Sequence, residues 1–469
     1  MSFFTDTIAA ISTPSGEGGI AVVRVSGPQT LELIQKLFLH KGWFGGDESH
    51  IARVGYFLDK TGGERIDQVV VTLFREPNSY TGENLIEIGC HGGQYLAGLI
   101  LETILHEGAC LAEPGEFTKR AFVNGRMDLA QAESVADLIH AKTRQSVRYA
   151  MRQLQGGFSD QVKGIQNNIL ELLANLELEL DFSEEDIVIL PKQQVVNQVD
   201  KLIEKLNALL GTYQRGRMIH EGIRTIIVGK PNVGKSSLFN ALLGFERAIV
   251  DPTPGTTRDA LEAQLDIGGA LFRLIDTAGI QNSDEKIEKK GIEITESHLR
   301  DADLILFILD LTTGFKEEDQ VILNKIQKIV TEKTKEFTPG VIVLWNKSDI
   351  VTDDSHENVF PEWKTIIISA VSNKGLLNLH EALANYLIPS NGKQEERQDE
   401  LITNLRHRNA LQGTVQNLER AKVNVENGIG NEFIAVDVRE SLDSIGEIIG
   451  KKTPEDILHF IFDNFCIGK

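Results

Sequence analysis

Nine consecutive residues, Gly229 to Ser237 (GKPNVGKSS), set two glycines, a lysine and a hydroxyl at the spacing that folds a chain around phosphate. Gly229 and Gly234 let the backbone aim its N–H groups at phosphate oxygens, Lys235 neutralises the outer phosphates, and the Ser236 hydroxyl reaches Mg²⁺. The apolar run Thr225 to Val228 precedes the segment and the helix-like stretch Leu238 to Leu243 follows it, which is the strand–loop–helix context this chemistry needs. A glycine turn with a chance lysine has no reason to match at every position. The expectation is a nucleoside triphosphate held by Asn232, Val233, Gly234, Lys235, Ser236 and Ser237.

Three later segments specify the base. Asp276-Thr277-Ala278-Gly279 follows the strand-like run Leu271 to Ile275, so the Asp276 carboxylate can approach Mg²⁺ while the Gly279 amide faces the terminal phosphate. Asn346-Lys347-Ser348-Asp349 ends the apolar run Val341 to Trp345, where Asp349 can accept hydrogen bonds from N1 and the 2-amino group of guanine. Adenine offers no such donor pair. Ser369-Ala370 closes the run Thr365 to Ile368, and its backbone amide is placed to reach guanine O6. An NKSD tetrapeptide alone resembles many surface turns; behind a phosphate loop and a DTAG it indicates a guanine-specific G domain.

The hydrolytic machinery has an omission. Ras-like enzymes carry a water-orienting glutamine directly after the DxxG glycine, but here that place is Ile280 and Gln281 is one residue late. Asn232 and the segment Asp251 to Asp259 (DPTPGTTRD) offer oxygens for a monovalent cation beside the phosphates. Such a cation would act as an arginine finger does, an effect worth on the order of 10³ to 10⁵ in rate. On spacing alone, Asn232 as a plain cap of the loop is an equal reading.

Length and composition bound the remainder. A chain of 469 residues holds roughly two to four domains, and the lack of any apolar stretch of about 18 or more residues argues against a membrane span. No charged-then-apolar leader opens the sequence, so the expected compartment is the cytoplasm. Cys90, Cys110 and Cys466 are odd in number and widely spaced, against a disulfide framework or a CxxC metal site, and His91 beside Cys90 lacks a second pair of ligands. A net charge of −20 excludes a uniformly basic nucleic-acid coat.

Around the G domain the period changes. From about Ala130 to Leu180 and from Pro191 to about His220, apolar residues recur at helical spacing: Ile169, Leu172, Leu173 and Leu176, then Val195, Val199, Leu202, Leu206 and Leu209. Leu401 to Val425 and Ala435 to Ile449 resume it, with Ser390 to Glu400 as a polar connection. The first residues instead show short β-rich runs (Ile20 to Val25, Gln68 to Phe74, Leu85 to Ile88) with helices near Thr30 to Phe38 and Gln94 to His106. The expected architecture is multidomain α/β and α. An N-terminal α+β domain (1–120) is followed by a discontinuous helical bundle (121–220 and 386–469) into which a Ras-like P-loop α/β G domain (221–385) is inserted.

Further segments carry a full-length likeness: TPSGEGGIAVVRVSG (13–27), NSYTGENLIEIGCHGG (78–93), EPGEFTKRAFVNGRMDLAQAESVADLI (113–139) and the terminal FCIGK (465–469). With the four G motifs, these make the chain resemble the tRNA-modifying GTPases of the MnmE or TrmE family. The resemblance implies a potassium-stimulated GTPase whose G domains dimerise across the nucleotide within a homodimer. It also implies a flavin-dependent (FAD) partner of the MnmG or GidA family. Together they would place an aminomethyl or carboxymethylaminomethyl group on C5 of the wobble uridine of certain tRNAs.

Carried over residue by residue, the resemblance implies that K⁺ is coordinated by Asn232 with Asp251, Thr253 and Thr256, and that Thr257 joins Ser236 on Mg²⁺. It implies that the Glu288 carboxylate orients the hydrolytic water through a bridging water. It further implies a folate-binding N-terminal domain, in which Arg24, Glu87, Arg126 and Lys469 hold a tetrahydrofolate derivative (5,10-methylene- or 5-formyl-) with Cys466 nearby as a candidate catalytic thiol. A carboxylate suits the pterin's guanidine-like edge and cations suit the glutamate tail. On residue type alone, Arg24 and Glu87 also read as an ion pair at a strand end. Cys466 sits fourth from the end, as in a prenylation box, but Gly468 and Lys469 fit that signal poorly.

Arg144, Arg148 and Arg152 recur every four residues and form either a phosphate-meeting stripe or a solvated helix face; Lys119, Arg120, Arg406 and Arg408 are similar candidates. The alternative class is a nucleotide-switched ribosome-assembly or RNA-binding GTPase without modification chemistry. That class calls for an appendage such as a KH domain, whose GXXG in helix–loop–helix context is not found outside the phosphate loop.

Overall fold

A computed structural model describes residues 4–40, 48–59, 63–181, 191–245, 247–248, 261–276, 298–331, 338–351, 360–387, 400–451, 454–463 and 465–469. The chain divides into two units: Met1–Ile139 with Gln153–Leu202 and Gln416–Lys469, and His140–Arg152 with Ile203–Val415.

The first unit carries a sheet of β1 (Ile8–Ile11), β2 (Ile20–Ser26), β3 (Phe38–Leu39), β4 (Ile51–Leu58), β5 (Arg65–Phe74), β6 (Leu85–His91) and β7 (Cys110–Leu111). Its order is β3-β4-β5-β6-β2-β1-β7, antiparallel except where β1 meets β7. Period-two alternation sends Val23, Val25, Val69, Val71, Ile86 and Ile88 into one core, which the helices Thr30–Leu37 and Gln94–His106 cover. Three of these strands were legible as apolar runs. β1 and β4 were not, because IAAI is mostly alanine and IARVGYFL puts Val54 in solvent.

Helical segments from both ends of the chain complete this unit. Ile169, Leu172, Leu173 and Leu176 are all buried on the helix Gly157–Asp181, which packs along Asn431–Gly446. Asn431 Nδ2 donates to Glu179 Oε2 at 2.5 Å, and Arg439 pairs with Glu177. The helix Lys192–Leu210 carries the division between the units after Leu202; on its predicted face Val195, Val199 and Leu202 are buried in the first unit's stretch, and beyond it Leu206 is buried and Leu209 only partly.

In the second unit the strands are β8 (Ile223–Val228), β9 (Arg247–Ala248), β10 (Leu261–Ile267), β11 (Ala270–Asp276), β12 (Leu304–Asp310), β13 (Gly340–Asn346) and β14 (Lys364–Ile367). They form a sheet in the order β14-β13-β12-β8-β11-β10-β9. Every residue of β12 is buried: Leu304, Leu306 and Ile308 enter one core and Ile305, Phe307 and Leu309 the other. The sheet is parallel from β14 to β11 and antiparallel at β10 and β9, and a central parallel strand covered on both faces must be apolar throughout. At the amino-terminal ends of β12 and β13, Tyr386 OH donates to Asp303 O at 2.7 Å and accepts from Gly340 N at 3.2 Å. From β8 the chain crosses to the sheet edge at β9 and returns inward through β10 to β11 beside β8, then builds on the opposite side through β12, β13 and β14. The carboxyl end of β8 is therefore a topological switch point, the place where open α/β sheets bind ligands.

Candidate functional site

The phosphate loop leaves β8 at that switch point and enters the helix Lys235–Phe245. Gly229 is required by close approach, since a Cβ there would lie 2.4 Å from Ile308 O. Gly234 adopts φ 101°, and its Cβ would lie 2.3 Å from Asn346 Nδ2. Lys235 is buried and spans the loop, its Nζ donating to Gly229 O and Lys230 O, both at 2.9 Å. Asn232 takes the left-handed φ of 61° at the exposed tip, and among the described residues nothing hydrogen-bonds its side chain. Ser236 and Ser237 are exposed on the first turn of the helix.

The segments expected to read the base meet the phosphate loop. Asn346, at the end of β13, donates from Nδ2 to Val233 O at 2.8 Å and accepts from Ala370 N at 2.9 Å. Its amide therefore ties the phosphate loop to the turn after β14. The Ala370 amide, which the sequence offered to guanine O6, is committed to this tie in the structure. Ser369 Oγ donates to Asp349 Oδ1 at 2.6 Å and so orients the carboxylate expected to read guanine. Lys347 has φ 72° and its ammonium meets Asp310 Oδ2 at 2.7 Å. Burial opposes ionisation of Asp310, but the bonds from Lys347 and Thr312 prevail and hold its carboxyl below the usual range.

A second cavity, of about 940 Å³, lies in the first unit. Glycine-rich backbone at Gly16, Gly18, Gly92 and Gly93 borders it, with Cys466 and Lys469 from the chain end. Burial, then the Arg24 charge, pushes the Lys469 ammonium below its ordinary pKa. Arg24 and Glu87 face each other across β2 and β6 and pair at 2.6 Å. The ion-pair reading of these two is thus realised, and Arg24 reaches the chain end through Gly468 O at 3.4 Å. Neither they nor Arg126, which packs beside Gly82, is among the residues lining the cavity.

Comparison with known proteins gives the family. The model of the MnmE helical domain matches residues 129–466, and that of the GTP-binding protein TrmE N-terminus matches 7–126. A tRNA modification GTPase MnmE of Acetivibrio thermocellus is 38% identical over 467 residues, 99% of each chain. Those of Thermoanaerobacter pseudethanolicus and Alkaliphilus metalliredigens are each 41% identical, over 99% and 100% of both chains. The chain belongs to the MnmE family of tRNA modification GTPases.

Of the site residues that the MnmE resemblance supplied, Asp251, Thr253, Thr256, Thr257 and Glu288 lie outside the described residues, as do Thr277, Ala278 and Gly279. Asp276 is described as the last residue of β11, without its side chain. One RNA candidate is corrected: Arg120 is fully buried, bonded to Glu116 at 2.7 Å and Asp6 at 3.0 Å with Glu83 at 3.4 Å. A guanidinium enclosed by three carboxylates cannot meet phosphate. Lys119 is partly buried, Arg406 bonds His407 Nε2 at 3.0 Å, and Arg408 lies over the Tyr213 ring.

Three residues of this MnmE-family site were missed. Asp310 fixes Lys347, while Asp319, fully buried, accepts from Lys230 of the phosphate loop at 2.9 Å and from Lys316 N at 3.0 Å. Asp310 had a signal, since it ends an apolar strand run just as Asp276 and Asn346 do. Lys230 and Asp319 had none, being ordinary charges 89 residues apart.

Proposed function

We propose that the protein is a potassium-stimulated GTPase. With a flavin-dependent partner of the MnmG or GidA type, it would form the aminomethyl or carboxymethylaminomethyl group on C5 of the wobble uridine of certain tRNAs. The observation that carries this reading is the Asn346 tie, which sets a phosphate loop and a guanine-reading carboxylate in one cleft of an MnmE-family chain. Lys235 would leave the loop carbonyls for the phosphate oxygens, an exchange of neutral acceptors for charged ones. Asp349, oriented by Ser369, would accept from the guanine edge.

The donors present fit the implied ions. Ser236 on the first helical turn would hold Mg²⁺ with Thr257, and the exposed Asn232 amide would hold K⁺ with Asp251, Thr253 and Thr256. Asn232 is exposed, and among the described residues nothing hydrogen-bonds its side chain, which supports the cation reading over a cap. Bound there, the ions would stabilise charge developing on the phosphates, while Glu288 would position the water.

The N-terminal cavity lies in the size range of small-molecule sites and suits a tetrahydrofolate derivative as one-carbon donor. Lys469 would meet the glutamate tail and Cys466 would lie beside the ligand. Glu87 would reach the pterin by sharing its carboxylate with Arg24, and Arg126 would need to turn away from Gly82. The outward sheet face exposes Ile20, Val54 and Val70, which supports burial against a second copy in a homodimer. No helix among the described residues is long and apolar enough to cross a membrane, in keeping with a cytoplasmic site of action. The division into residues 1–120, 121–220, 221–385 and 386–469 belongs to the same reading.

Deleting the gene and measuring wobble nucleosides by mass spectrometry tests the proposal. Loss of the C5-substituted uridines is expected. Unaltered nucleosides would refute it.

A further inference from the structure

The helix Arg144–Leu154 reads RQSVRYAMRQL, three arginines without one acid, in a chain of 68 acidic and 48 basic residues. Its inner face is firmly seated. Tyr149 packs on the core of the second unit, Ala150 is buried, and Lys142 just before the helix bonds Gln264 of β10 at 3.0 Å. Reciprocal bonds between Thr143 and Ser146 (Ser146 N to Thr143 Oγ1, 3.2 Å; Thr143 N to Ser146 Oγ, 3.1 Å) close its first turn.

The outer face has another character. Positions 144, 147, 148 and 151 fall on one stripe of the helix, and all four are exposed, Val147 at 43% and Met151 at 41%. Among the described residues neither Arg144 nor Arg148 has an ion-pair or hydrogen-bond partner. Arg152, one turn further on, differs: it is half-buried, and its charge acts on Glu400.

We propose that this outer face is an RNA-docking surface, where Arg144 and Arg148 bind backbone phosphates of the tRNA and Val147 and Met151 pack against the sugars between them. It rests on the tRNA reading above and adds to it the place of contact. Charge complementarity carries the choice of occupant. An acidic protein repels RNA at long range, so a rigid, acid-free arginine face is where a polyanion can land, and the guanidinium fork matches phosphate oxygens. Two exposed aliphatic side chains make too small an apolar centre for a protein interface, which would need buried anchors.

The test measures binding of unmodified tRNA by the full-length protein from 50 to 300 mM KCl, for wild type, Arg144→Ala/Arg148→Ala and the corresponding double lysine variant. GTPase activity without tRNA serves as the control for folding. Removing two phosphate-binding charges should flatten the slope of log K against log salt by about 1.4 to 1.8. Affinity should fall at least tenfold at the lowest salt, the lysine pair should restore the slope, and GTPase activity should not change. A double alanine variant that binds tRNA as wild type does overturns the proposal. So does one that keeps tRNA affinity but no longer associates with the flavoprotein, which would make this a protein interface. Absence of tRNA binding by wild type itself would instead strike the function beneath it, and this surface with it.

Discussion

Replacing Asn346 by alanine removes both bonds of the tie at once. The Val233 carbonyl and the Ala370 N–H, held at 2.8 and 2.9 Å by one buried amide, are then left without a partner. An orphaned buried polar group costs about 1–3 kcal/mol, so the organised cleft is destabilised by about 2–6 kcal/mol. Water entering the space left by the amide would keep the loss near the lower bound, about 2 kcal/mol, which is about 30-fold in GDP affinity. At the upper bound the cleft does not assemble. Asn346→Asp keeps the acceptor for Ala370 but turns an oxygen toward Val233 O, so it too must weaken binding although its volume is unchanged. Calorimetric titration with GDP, paired with urea unfolding of the nucleotide-free protein, separates lost affinity from lost fold. Asn346→Ala with a GDP affinity within twofold of wild type and an unchanged unfolding midpoint would show that the tie does not organise the site.

Three other outcomes follow from the same geometry. Burial pushes the Tyr386 hydroxyl up to about 12. Folding thus favours its neutral form, whose stabilisation is complete below about pH 10 and is lost as pH rises through the folded value, about 3 kcal/mol in all; Tyr386→Phe should abolish this alkaline step and cost about 1–2 kcal/mol at pH 7, as measured by urea unfolding at pH 7 and 11. Asp319→Asn leaves Lys230 without its buried counter-charge, and should raise the KM for GTP at least tenfold while kcat moves less than threefold in steady-state assays; an unchanged KM would detach Lys230 from nucleotide binding. Glu87→Ala should weaken equilibrium binding of 5-formyltetrahydrofolate more than tenfold, and equal affinities would remove Glu87 from the folate site.

What could be read from the chain depends on whether a residue's duty is set by its own neighbours. Gly229 and Gly234 were legible from the spacing of the loop motif itself, and Gly234 also has a local reason in its φ of 101°, although the Cβ clashes they avoid come from Ile308 and Asn346 across the loop. The helical faces around Ile169 and Val199 were legible because periodicity is local. Asn346 was found but given too small a role: its two partners come from segments far away in the chain, and the orientation of an amide is decided by partners. Arg120 shows the same limit from the other side. As part of a Lys-Arg pair on a helix it looked available to phosphate, and only the convergence of Asp6, Glu83 and Glu116 makes it a buried structural cation.

Two of the three residues that went unseen, Asp310 and Asp319, share one segment. β12 ends on Asp310, which fixes Lys347 at the base end of the cleft, and the chain then carries Thr313 and Asp319, which fix Lys230 at the phosphate end. Lys230 in turn presents the carbonyl on which Lys235 rests. Base and phosphate ends are thus fastened to a single strap as well as to each other through Asn346. If one end of the cleft is ordered by guanine, the strap is ordered with it, and the phosphate end then loses less entropy on closing. On this geometry, guanosine and inorganic pyrophosphate offered separately must bind more weakly than their sum within GDP, by more than the linkage between them accounts for.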